Sequence, residues 1–382
     1  MRLKFKLWLD YYVGGLLLGF LKIPTMILGQ LMGRDHDLVN CRTVTYLKMM
    51  GGGSLVISYP ALLALKQNPK IERLQLLTTP AIRPFAESLG VFDEIIVIRD
   101  RSLPLLVGDS CRALIRLFRT DAIIDLEIYS RLTTIFALLT CARNRVCFYT
   151  NASFWRKNIS THLLFCNITN GIYESYDQVA RLFNAEPTPI SICRQEFRHH
   201  LNVGDRHPGD CKRIGVAPGC SDLSKERMLR TEEWVKILLA KAKPGNCSFE
   251  FLGGPGDKEI IRQIREQLPS GLQGVSFAGQ LALIDSVRRV AEIDELVCID
   301  SALLHYARLC GTPVDVYMGP TDPRVLLRPM EPNHDTIHYL RIACSPCIHL
   351  ATEPPCNGDN ICMRYAADPD SPGTRNPIWI QH

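Results

Sequence analysis

The feature that most limits what this chain can fold into is a rhythm that runs through it twice, short apolar runs each followed by an amphipathic stretch. From residue 43 the pattern predicts strands at 44–47, 73–77, 94–98, 122–125 and 145–148, with helices at 55–67, 82–89, 103–117 and 131–141 between them. A polar segment at 199–212, with Gly204, Pro208 and Gly209, reads as a linker. The rhythm then restarts, with strands at 214–217, 248–252, 296–298 and 314–317 and helices at 231–242, 258–268, 286–291 and 303–310. Strands alternating with helices need crossover connections, and so a parallel sheet covered on both faces. Two such halves predict an α/β protein of two doubly wound, Rossmann-like domains facing a cleft, because ligands of these sheets sit at the carboxyl ends of the strands. The length of 382 residues agrees, since single cores stop growing well short of it. The expected division is an apolar and basic segment at 1–40, a first Rossmann-like domain at 41–205, a second at 206–343 and a cysteine-rich tail at 344–382.

The formal charge of +5 is small and spread along the chain, which argues against a nucleic-acid partner. The 15 cysteines suit reduced thiols in a cytoplasmic protein better than a disulfide framework. At the N-terminus, Arg2, Lys4 and Lys6 precede Trp8, Tyr11 and Tyr12, and an apolar stretch follows from 13 to 32. Lys22, Pro24 and four glycines interrupt it, so a clean membrane span is disfavoured, and no Ala-x-Ala site follows for a cleaved leader. The expectation is a segment lying on the inner membrane, with basic residues at the headgroups and aromatic rings in the interface. The alternative is a helical hairpin packed on its own domain.

Four loops in the second half fall where strands end and helices begin. Ala217-Pro-Gly-Cys-Ser-Asp-Leu-Ser-Lys225 offers Gly219 for close approach, the Ser221 hydroxyl and the Lys225 charge. Gly253-Gly-Pro-Gly-Asp257 is a glycine turn opening a helix, where Gly253, Gly254 and Gly256 would turn amides to an anion or a ribose oxygen. Asp300-Ser-Ala-Leu-Leu-His305 and Gly319-Pro-Thr-Asp-Pro323 complete the set. Each loop alone has a bland explanation, since Asp300 and Ser301 could cap a helix and His305 could be a satisfied core histidine. Their joint order is far more specific.

In that order the loops resemble glycosyltransferase family 9, the heptosyltransferases of the lipopolysaccharide core, whose pattern runs Pro-Gly-Ala-Ser with a following Lys, Gly-Gly-Pro-Gly-(Asp/Glu), Asp-(Ser/Thr)-Gly-x-x-His and Gly-Pro-Thr-Asp-Pro. Pro60-Ala-Leu62 and Ile124-Asp-Leu126 extend the resemblance into the first half. It implies a GT-B fold, with an acceptor-binding domain at 41–205 and a nucleotide-sugar-binding domain at 206–343 that holds an ADP-linked donor. Direct displacement would invert the anomeric configuration, the basic, apolar N-terminus fits a lipid-linked glycan acceptor, and with no Asp-x-Asp in the two lobes no cofactor is expected for catalysis. By that resemblance Ser221 and Lys225 meet the pyrophosphate, and Asp300, Ser301 and His305 line the phosphate and sugar. Ala302 stands where the family has glycine. The family's first glycine loop ends in Gly-Asp, whose Asp is the expected base; here that place holds Gly53-Ser54. A serine hydroxyl cannot serve as a base at neutral pH, so Gly52, Gly53 and Ser54 are expected to cap a helix or touch the diphosphate. The base is sought instead on Ile123-Ile-Asp-Leu-Glu127, at the carboxyl end of a buried strand, with Glu127 ahead of Asp125. The bland reading has Asp125 capping the next helix and Glu127 pairing with Arg131.

Cys344, Cys347, Cys356 and Cys362 suggest a four-sulfur zinc or iron site of structural kind, with His349 as a substitute ligand, although the gaps are less regular than in a zinc ribbon. Two rivals stand beside the heptosyltransferase reading: another activated hexose on the same scaffold, and a non-catalytic sugar-nucleotide or glycan binder. A dinucleotide-binding protein is disfavoured, because no strand–Gly-x-Gly-x-x-Gly–helix unit occurs.

Overall fold

The computed structural model describes residues 3–368 apart from 34, 205, 207–208, 222–224, 243–245, 333, 349, 352–353, 355 and 357–358. The chain divides into two compact units, Met1–Thr188 and Pro189–His382.

The first unit opens with α1 (Leu3–Trp8), a π-helical turn (Leu9–Val13) and α2 (Gly14–Met32). Six strands follow, β1 (Thr43–Lys48), β2 (Arg73–Thr78), β3 (Glu94–Val97), β4 (Ala122–Asp125), β5 (Asn144–Tyr149) and β6 (His162–Phe165). Between and after them lie α3 (Gly53–Ile57), α4 (Tyr59–Gln67), α5 (Arg83–Leu89), α6 (Leu103–Arg116), α7 (Arg131–Leu139) and α8 (Ile172–Leu182). The expected helix at 55–67 is two pieces, because Ser58 leaves helical geometry and Pro60 sits in the first turn of α4, where its missing N–H costs nothing.

The second unit contains β7 (Lys212–Ala217), β8 (Cys247–Phe251), β9 (Val275–Ser276), β10 (Glu295–Ile299), β11 (Val314–Met318) and β12 (Thr336–Tyr339). Its helices are α9 (Ile190–His200), α10 (Thr231–Ala242), α11 (Lys258–Gln267), α12 (Leu283–Glu292), α13 (Ala302–Cys310), α14 (Pro323–Leu326) and α15 (Ile361–Ala367). The units divide at 188/189 rather than inside the polar stretch at 199–212, because α9 packs into the second core. Phe197 stacks on Tyr306 with centroids 6.0 Å apart, and Arg198 donates to the carbonyls of Ala291 and Cys310.

Both sheets are wholly parallel and share one topology. The first runs β3-β2-β1-β4-β5-β6 and the second β9-β8-β7-β10-β11-β12, which is the same 3-2-1-4-5-6 order counted within each unit. Central strands are buried on both faces, as parallel sheets with helices on each side require. The order reverses between β1 and β4 and between β7 and β10. Those two switch points are where a doubly wound sheet opens a crevice for ligand.

The N-terminal helix is neither a hairpin nor free of the domain. Residues Lys4–Met32 run on as one helix around Pro24. Leu18 is buried against Ile135 and Ile159. A side chain at Gly14 would lie 2.7 Å from Arg131 Cβ, so glycine allows this crossing. Beyond the helix, His36 and Asp35 bond to Arg143, past the far end of α7.

Candidate active site

At the switch point of the first sheet, the loop after β1 meets the loop after β4. The Glu127 carboxylate gathers that meeting: Oε1 accepts from the Met49 and Met50 amides at 2.7 and 2.8 Å and lies 3.3 Å from Lys48 Nζ. Oε2 has no hydrogen-bond partner among the described residues. One oxygen therefore fixes the side chain and the other is left to act, which suits a general base. Glu127 makes no pair with Arg131, whose guanidinium lies over the rings of Tyr11 and Trp155.

Asp125 sits deeper. It is fully buried and bonds to Thr133, Thr134 and Arg156, and its Oδ1 accepts the Glu127 amide at 3.0 Å. Burial pushes its carboxyl up to about 6, against the pull of Arg156. Arg156, equally buried, also donates to the Glu127 carbonyl. This buried pair holds the backbone on which Glu127 is presented, and with no exposed surface Asp125 cannot itself reach an acceptor. The helix that Asp125 was expected to cap is capped instead by Ser130, which accepts from the Thr133 amide, and by Asp10.

Ser54 donates to the Gly51 carbonyl and shares a hydrogen bond with the buried Tyr176 hydroxyl. Gly52 is explained by packing: a Cβ there would lie 2.3 Å from the Phe85 ring. Gly53 begins α3.

At the switch point of the second sheet, Asp300 follows β10 and faces the loop after β7. Its Oδ2 accepts from Thr321 Oγ1 at 3.0 Å and from Arg227 Nη1 at 3.4 Å, and Oδ1 lies 3.9 Å from His305 Nε2. Burial holds the His305 imidazole down to about 4, so the ring is neutral at physiological pH. Ser301 is the N-cap of α13, yet its hydroxyl makes no cap bond and is a buried oxygen with no partner among the described residues. Lys225 and Ser221 are exposed on the loop after β7. The site thus holds cations, a helix N-terminus and an unspent hydroxyl around one buried carboxylate, a set that fits a diphosphate group.

The glycine turn after β8 departs from expectation. Asp257 Oδ2 accepts the Gly254 amide at 2.8 Å, and Asp257 packs so closely over Gly219 that a Cβ there would meet its Oδ1 at 2.0 Å. Gly253 is also held against Asp257, while Gly256 faces open space. The amide expected to face an anion is spent on a carboxylate, so this turn suits a hydroxyl-bearing group better than a phosphate.

The cysteine-rich segment packs directly behind these loops. The Cys347 and Ile348 amides donate to the Pro320 carbonyl, and Cys362 lies in the core beneath β11. Cys344, Cys347, Cys356 and Cys362 line one small cavity together with Glu226. Burial raises the Cys344 and Cys347 thiols and lifts Cys362 to about 12, which keeps them protonated. Among the described residues no group of three His, Cys, Asp or Glu side chains is placed to hold a metal ion. His349 lies outside the described residues. Lys48, Arg156 and Arg227 belong to the two constellations without a signal in the sequence motifs, whereas Thr321 lies in the Gly319–Pro323 loop. Arg227, two residues after Lys225, was the most findable.

Two parallel sheets of order 3-2-1-4-5-6, each with a polar constellation at its switch point, have the architecture of the GT-B fold. Residues 183–356 match the family model of glycosyltransferase family 9 (heptosyltransferase). Among solved structures, it is similar to a family 9 glycosyl transferase from Veillonella parvula DSM 2008, at 17% identity over 79% of this chain and 87% of that one, with a TM-score of 0.61. It is also similar to E. coli ADP-heptose lps heptosyltransferase II, at 16% over 78% and 91%, TM-score 0.61. The E. coli heptosyltransferase WaaC, solved with ADP, gives 16% over 77% and 93%, TM-score 0.58. At such identities the likeness is one of fold. No curated protein sequence matches the chain.

Proposed function

We propose that the chain transfers heptose from ADP-heptose, with inversion, onto a lipopolysaccharide-core or other lipid-linked glycan at the cytoplasmic face of the inner membrane. The observation that carries the donor half is the unpartnered Ser301 hydroxyl at the start of α13, beside the Arg227–Asp300–Thr321 cluster. Similar folds were solved with ADP and with ADP-2-deoxy-2-fluoro heptose, which supports an ADP-sugar as the ligand.

In the proposed reaction Glu127 takes the proton of an acceptor hydroxyl as its oxygen attacks the anomeric carbon. The bond from that carbon to the diphosphate oxygen breaks, and its electron pair leaves with ADP. Lys225, Arg227 and the first amides of α13 stabilise the charge that develops on the diphosphate. Attack opposite the leaving group inverts the anomeric centre. No step uses a metal or a cofactor. Incubating the purified chain with ADP-heptose and a lipid-linked core acceptor tests the reading: transfer supports it, transfer from a different activated hexose replaces the sugar, and ADP-heptose binding without turnover replaces the enzyme with a binder.

The N-terminal helix supports a seat on the membrane surface. It exposes Trp8, Tyr11, Leu16, Phe20, Ile23 and Ile27 among its apolar side chains. Its contacts with the domain at Asp10, Gly14, Leu18 and, just past its end, Asp35 leave no room for a bilayer between helix and domain. A helix held this way lies in the interface rather than crossing it. The cysteine cavity becomes a structural metal site only if its thiols draw together. Metal analysis of protein purified without chelators reads this directly: one equivalent of zinc or iron establishes the site, and metal-free protein leaves a thiol-lined staple.

A further inference from the structure

Helix α6 exposes a row of apolar side chains on its outward face, beside arginines. Ala113 and Leu117 at its inner face are buried in the sheet core. On its exposed side Leu103, Val107, Cys111 and Ile115 follow at four-residue spacing, and Phe118 continues the row. All five are exposed, Ile115 at 79% and Phe118 at 58%. Such a row on a helix that already has a buried face marks a surface meant to be covered.

Its surroundings say by what. Residues 99–119 carry five arginines against two aspartates, and Arg112 and Arg116, which pair with Asp109 and Glu94, flank the apolar row on the exposed surface. α6 and α7 pack on the same side of the sheet through a shared core. α2 lies on the outer side of α7 through Leu18, Ile135 and Leu138, and Lys6 of α1 pairs with Asp100 just before α6. The apolar row of α6 therefore lies on the side of the unit that carries the N-terminal helix. Arginines beside apolar side chains match the headgroup and acyl boundary of an anionic bilayer.

We propose that the outer face of α6 is a second lipid-contacting surface, which together with the N-terminal helix lays the first unit flat on an anionic membrane. The proposal rests on the N-terminal helix being seated on lipid. Two contacts rather than one fix an orientation as well as an attachment, and so set the height and direction from which a lipid-linked acceptor arrives.

The test is flotation of the full chain with vesicles of phosphatidylglycerol and phosphatidylethanolamine, compared with phosphatidylcholine alone. Two variants are used, Ile115→Glu with Phe118→Glu on α6, and Phe20→Glu with Ile23→Glu on α2. All four positions are exposed, so melting temperatures should stay at the wild-type value. The expected result is preferential binding to the anionic vesicles and a loss of partitioning of about tenfold or more in each variant. If only the α2 variant loses binding, the α6 proposal is overturned and the N-terminal reading stands. If the wild type floats with neither vesicle, both fail. If sedimentation without lipid shows a dimer that the α6 variant dissolves, the face belongs to a second copy of the chain and the lipid proposal is wrong.

Discussion

Asp10 caps the helix that follows the Glu127 loop from 120 residues away: its Oδ1 accepts from the Ser130 hydroxyl at 2.6 Å and the Leu132 amide at 2.9 Å, and its Oδ2 takes the Arg131 amide at 3.0 Å. The N-terminal helix is thereby joined to the segment that begins three residues after Glu127. Whatever seats that helix also steadies the loop carrying the proposed base.

Removing the cap should be felt in the whole first unit. Asp10→Ala is expected to cost about 1–2 kcal/mol, since several orphan donors at a helix start lose one charged acceptor. Thermal or urea unfolding of the full chain measures it, and an unchanged midpoint would show that the helix is only loosely laid on α7.

Glu127→Gln keeps an acceptor for the Met49 and Met50 amides but removes the basic oxygen. Turnover should fall by roughly a hundredfold or more, with ADP binding retained. Ser54→Ala, which loses bonds to Gly51 and Tyr176 only, should change turnover little. A Gln variant with wild-type turnover would remove Glu127 from the chemistry.

Arg156 and Asp125 are both fully buried. Arg156→Met alone leaves an unpaired carboxylate in the core and should destabilise by about 3–5 kcal/mol. Adding Asp125→Leu should recover part of that loss, because no buried charge then remains. Denaturation of the single and double variants reads the difference.

His305 gives a pH signature. Its folded value near 4 lies below the ordinary 6.5, so the unfolded chain binds more protons between those values. Its contribution is present above pH 6.5 and lost as pH falls toward 4, on the order of 3 kcal/mol. His305→Gln should flatten the stability profile in that window relative to wild type.

Much of this was legible in the residues. The central strands of both sheets show as apolar runs because parallel strands are buried on both faces, and the two switch-point loops follow from their order. The short outer strand β12 is partly exposed and carries no such run, and β6 offers only Leu163, Leu164 and Phe165, too few residues to tell strand from helix. α15 is hidden in a cysteine-rich stretch whose Cys362 and Met363 are core residues. The cap by Asp10 and the pair of Arg156 with Asp125 join positions far apart in sequence, which no local spacing encodes. Gly254 shows the opposite failure: the glycine turn was read correctly, but its amide is spent on Asp257 within the same motif.

The central claim is that the second unit cradles a nucleoside diphosphate at the start of α13. Isothermal titration of the full chain with ADP tests it most directly, with Lys225→Ala and Arg227→Ala as variants. The account predicts saturable one-site binding, weakened about tenfold or more by each substitution as a charged phosphate contact is lost. A folded protein that takes up no ADP, or binds it equally well without either cation, would contradict the account.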